Sequence, residues 1–75
     1  MQDLKINGVY RLTEELNGEV DTGEFVSDYD VEAGAEVVVI AFDDETVTTT
    51  ENPQRGKEVT VFFREEFEGA AVEIG

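Results

Sequence analysis

The chain reads as all-β: a small antiparallel barrel, closed or partly closed, or a compact β-sandwich of five to seven short strands, in one domain over residues 1–75. Three observations predict it. Eleven valines, seven threonines and three isoleucines stand against three leucines, a β-branched bias that suits pleated, half-buried surfaces and disfavours helices. Apolar runs are short and separated by glycine or Asx–glycine pairs. Seventy-five residues leave room for one core and no repeat array.

Along the chain, Leu4 to Ile6 and Val9 to Leu12 flank Asn7-Gly8, which predicts a hairpin, since a type I′ turn needs positive φ at both central positions. Asn17-Gly18, between Leu16 and Val20, fits either a second hairpin or the end of a single helical turn begun at Thr13. Glu24 to Tyr29 predicts a strand of undecided face, because Phe25, Ser27 and Tyr29 alternate with Glu24, Val26 and Asp28. Val31 to Val37 predicts a turn leading into a strand, with Gly34 supplying the unusual backbone angles.

Val37, Val39 and Ala41 alternate with Val38, Ile40 and Phe42, so this strand is apolar on both sides and is expected at the centre. Asp43 to Glu45 breaks it. Thr46 to Thr50 has strong strand propensity but a single large apolar residue, which predicts an edge or rim strand forming a hairpin with the central one. Glu51 to Lys57, holding the only proline and Gly56, predicts a loop. In the next strand Val59, Val61 and Phe63 are expected to face the core, leaving Thr60, Phe62 and Arg64 outside. Glu65 to Gly69 reads as an irregular or bulged segment, and Ala70 to Ile74 as a last short strand.

Nineteen acidic and five basic residues give a net charge of −14 and a pI near 4.1. At the ~11 Å radius of gyration expected for this length, the excess charges lie ~16 Å apart on average and repel by ~20 kcal/mol in unscreened water. The unfolded chain is about twice as expanded, so roughly half of that opposes folding, comparable with the ~5–15 kcal/mol stability of an ordinary domain. At molar salt the Debye length falls to ~3 Å and the penalty nearly vanishes. Yet 40% of residues are hydrophobic, enough for a folded chain.

With carboxylates replacing surface lysines and small valines forming most of the apolar set, the composition resembles that of proteins from salt-in halophiles. The resemblance implies that the acidity reports the solvent and not the partner.

Function classes narrow by subtraction. There is no cysteine and no histidine, which removes the usual ligands for zinc, copper, haem iron and iron–sulfur clusters and most hydrolytic triads. The acidity disfavours nucleic-acid phosphates as partners. The longest apolar run, Val37 to Phe42, is far short of the ~20 residues of a membrane span. The expectation is a complete, cytoplasmic, non-enzymatic chain with no cofactor and no membrane partner.

Four clusters are candidates for more. Phe62, flanked by Thr60 and Arg64, is expected as an exposed aromatic on an acidic surface, a natural protein-binding spot because aromatics and arginine anchor interfaces. Arg55, Lys57 and Arg64 with Phe62 offer an alternative single-stranded nucleic-acid face. Asp28, Asp30 and Glu32 alternate and would line one side of an extended segment, a weak site for calcium or magnesium. Asp43, Asp44 and Glu45 crowd carboxylates that can raise one another's pKa, although a hydrated turn is the better reading.

The rhythm of the strands resembles SH3-like and OB-like barrels at the level of spacing, and such folds host many unrelated functions. The preferred reading is a protein-interaction module of a halophilic cytoplasm. The alternatives are a small nucleic-acid-binding barrel and an acidic mimic of nucleic acid that inhibits a basic protein.

Overall fold

The computed structural model describes residues 4–21, 23–24, 26–51 and 59–75. Seven strands and one short helix follow in the order β1 (Val9–Leu12), β2 (Leu16–Asp21), β3 (Val26–Val31), β4 (Glu36–Phe42), β5 (Thr46–Glu51), β6 (Val59–Phe63), α1 (Arg64–Ala70) and β7 (Ala71–Glu73). They form a single sheet in the spatial order β3-β2-β6-β5-β4-β1-β7, every neighbouring pair antiparallel. The all-β class is as expected. The barrel is not closed: β3 and β7 form opposite edges and do not pair with each other. Both edges are blunted, β3 by Asp28 and Asp30 and β7 by its three-residue length.

The core lies on one face of the sheet and under α1. Leu4, Tyr10, Leu12, Leu16, Val37, Val39, Val47, Phe62, Phe67, Ala70 and Ala71 form one buried cluster. Three rings organise it, with Phe67 edge-on to Tyr10 at 5.5 Å and tilted against Phe62 at 5.6 Å. The Tyr10 hydroxyl accepts the Lys5 backbone N–H at 3.0 Å, so the phenol is buried with its polar end partnered.

Several local expectations are corrected. Asn7-Gly8 closes no hairpin. The turn runs from Lys5 to Gly8, whose N–H donates to the Lys5 carbonyl at 3.0 Å, and only Asn7 takes a positive φ, of 67°. Asn17-Gly18 is neither turn nor cap but lies inside β2. A Cβ on Gly18 would stand 2.6 Å from Thr60 Cγ2 and 3.0 Å from the Phe62 ring, so glycine is there to admit the close approach of β6.

Strand β5 is central, not marginal, flanked by β4 and β6. Its polar composition is tolerated because buried Thr49 donates its hydroxyl to the Thr60 carbonyl at 3.0 Å. In β4 the register shifts between Val39 and Ala41, which is paired with Thr48. The bulge moves Ala41 off the Val37–Val39 face, so strict alternation fails beyond Val39. The turn before β4 is as expected, with Gly34 at φ 89° and its N–H donating to the Leu12 carbonyl at 2.8 Å.

Glu65 to Gly69 is helical within α1. Phe67 and Ala70, three apart, are buried, Glu65 and Glu66 occupy the first turn, and Arg64 pairs with Glu68 at 3.3 Å. The Thr13 N–H and hydroxyl both donate to the carbonyl of Ala70, at 2.6 and 2.9 Å, satisfying the helix end. Beyond Glu51, the loop expected at Glu51 to Lys57 lies outside the described residues, as does Phe25.

Candidate functional site

The parity of β6 decides which of its side chains are exposed. Thr60 pairs with Val20 on one side and Thr49 on the other, and Phe62 pairs with Val47. Val20, Thr49 and Val47 are all buried core-face residues, so Thr60 and Phe62 face the core and Val59, Val61 and Phe63 face outward. This reverses the expected assignment. Phe62 is 1% exposed and fills space above Gly18 against Phe67, whereas Phe63 is 64% exposed. The reason is volume: Gly18 opens the core face to the Phe62 ring, and this packing overrides the alternation of Val59, Val61 and Phe63 that pointed to the other face.

Thr60 is half-buried, and its carbonyl serves Thr49. Arg64 is held in place: its guanidinium donates to the Asp43 carbonyl at 2.9 Å and to Glu68 Oε1 at 3.3 Å, and lies 5.1 Å from the Phe42 ring centroid. It ties the β4–β5 turn to α1. Arg55 and Lys57 lie outside the described residues, so the four residues of the nucleic-acid face are not seen together.

Asp28 and Asp30 lie on the outward side of β3, opposite Glu19 and Asn17. Asp30 Oδ1 accepts the Asn17 side-chain amide at 3.0 Å. Glu32 lies past the strand end. Among the described residues no three carboxylates come together as a group able to hold a metal ion, so the spacing of Asp28, Asp30 and Glu32 does not become a site.

The Asp43 cluster is a turn. Asp43 Oδ1 accepts the N–H of Thr46 at 2.7 Å and of Glu45 at 2.8 Å, and the Thr46 hydroxyl at 3.2 Å. The Thr46 and then the Glu45 N–H hold its carboxyl below the ordinary aspartate value, with Arg64 adding a smaller push the same way. The direction is opposite to what general-acid work would need.

What β6 presents instead is Phe63 between two concavities. One is an open bowl of about 690 Å³ in which Phe63 stands among Asp44, Glu45, Glu65 and Glu66. The other, of about 150 Å³, opens where β6 leaves β2. Their ladder stops at Glu19 and Val61, while β2 runs back to Leu16 and β6 runs on to Phe63, still paired with β5. Gly18, Val61, Phe62 and Phe63 line it together with Glu19 and Asp28. Phe63 was legible as an aromatic beside Arg64, but nothing local marked it as the outward ring of the pair.

No known protein family, curated protein or solved structure matches the chain. No helix among the described residues is long and apolar enough to cross a membrane.

Proposed function

We propose that this chain is a non-enzymatic protein-interaction module of a high-salt cytoplasm, docking a protein partner through the outward surface centred on Phe63. One observation carries the reading: among the described residues Phe63 is the most exposed large hydrophobic side chain, and it stands in a bowl lined by Asp44, Glu45, Glu65 and Glu66. A ring this exposed adds little to the core, and aromatic side chains are the usual anchors of interfaces. The acidity away from that surface keeps the chain soluble in concentrated salt.

Capture from cell lysate in molar KCl tests this, comparing wild type with Phe63→Ala, both checked for folding by circular dichroism. A partner identified with wild type and lost with a folded Phe63→Ala supports the reading. Equal recovery of the same partner by both proteins overturns it.

A further inference from the structure

Resting on that reading, we propose that the smaller concavity beside Phe63 is an anchor pocket for a single arginine side chain of the partner. Its volume, about 150 Å³, is well below the ~300–1,000 Å³ of metabolite and cofactor sites and suits one extended side chain. Gly18, Val61, Phe62 and Phe63 give it an apolar and aromatic lining, Asn17 and Thr46 add neutral polar groups, and two carboxylates, Glu19 and Asp28, join them.

Those two carboxylates carry the inference. Glu19 and Asp28 stand directly opposite each other across the β2–β3 ladder, so that one planar guanidinium can contact both carboxylates. The protein's own described cations do not relieve them: Lys5 pairs with Glu73, Arg11 with Glu36, and Arg64 with Glu68. On the other side of Glu19 lies Val61, which leads to Phe63. A cation entering here meets two carboxylates with its head and an aromatic wall with its stem.

The solvent selects arginine over lysine. In molar salt, attraction beyond ~3 Å is screened, so only groups in direct contact contribute. Guanidinium is planar and weakly hydrated, stacks on rings and can span paired carboxylates, whereas an ammonium keeps its hydration.

The test is a titration of ¹⁵N-labelled protein in molar KCl with acetyl-Gly-Arg-Gly-amide, with its citrulline and lysine counterparts alongside. Saturable shifts at Gly18, Glu19, Asp28, Val61 and Phe63, millimolar in affinity and weakened about tenfold or more in Glu19→Gln/Asp28→Asn, are the expected result. The citrulline peptide should produce no saturable change, and lysine a weaker one. Absence of shifts, equal response to citrulline, or shifts scattered over the carboxylates of α1 and the β4–β5 turn overturns the assignment. Loss of partner capture in Phe63→Ala with no arginine response would overturn the pocket alone and leave the docking surface standing.

Discussion

Phe62 and Phe63 are consecutive in β6 yet lie on opposite faces of the sheet, one 1% and the other 64% exposed. Truncating them should therefore have unrelated consequences. Phe62→Ala removes a ring packed on Phe67 and is expected to cost ~3–5 kcal/mol, a large part of the stability of an ordinary domain. Phe63→Ala is expected to stay within ~0.5 kcal/mol of wild type. Urea unfolding of both variants in molar KCl checks the pair, and similar midpoints would contradict the face assignment.

Gly18 is a second place where β2 and β6 are matched. Gly18→Ala forces a methyl against Thr60 Cγ2 and the Phe62 ring and should destabilise by ~1–3 kcal/mol. Thr60→Ser deletes Cγ2, so the double variant should recover part of the loss, with a coupling of ~0.5 kcal/mol or more in a double-mutant cycle. Strict additivity would place the strain elsewhere.

These two contacts explain what the sequence left unreadable. Val59, Val61 and Phe63 and the alternate pair Thr60 and Phe62 both present apolar groups, so the face of β6 is settled by Gly18, distant in the chain, together with Phe67 of the following helix. The same holds for Asn17-Gly18, where local turn preference yields to a packing demand from Thr60. β5 reads as marginal because threonine is polar, and becomes central because Thr49 finds the Thr60 carbonyl. α1 spans too few residues for a helical period to stand out. What was legible was local and strong: the β-branched bias, the apolar run of β4, its hairpin with β5 and the positive φ of Gly34.

Glu19 and Asp28 make a testable pair without any ligand. Because they repel across the ladder, Glu19→Gln should stabilise the protein by ~0.2–1 kcal/mol at low ionic strength. The gain should shrink in molar salt as screening removes the repulsion it relieves. Thermal midpoints of wild type and variant at the two salt levels check it; a loss of stability, or a gain independent of salt, would contradict the opposition.

Asp43 gives a pH signature. Its folded pKa is lowered by the Thr46 and Glu45 N–H groups, so its contribution to stability is present above the unfolded aspartate value, ~3.9, and is lost as pH falls through the folded value. Protonation of the other carboxylates relieves repulsion and acts in the opposite direction, so the comparison must be with Asp43→Asn. The stability difference between wild type and Asp43→Asn should be constant above about pH 5 and narrow in acid. A difference that does not change with pH would remove the charge of Asp43 from the turn.

On the high-salt reading proposed above, folding turns on the repulsion of a net charge of −14 held within an 11.0 Å radius of gyration. The direct measurement is the amide chemical-shift spectrum of the purified protein from near-pure water to molar KCl. Dispersed resonances that emerge only as salt is added, with Tyr10, Phe62 and Phe67 signals ordering together, are the expected result. An equally dispersed spectrum in near-pure water would contradict it and return the acidity to consideration as a signal to a basic partner.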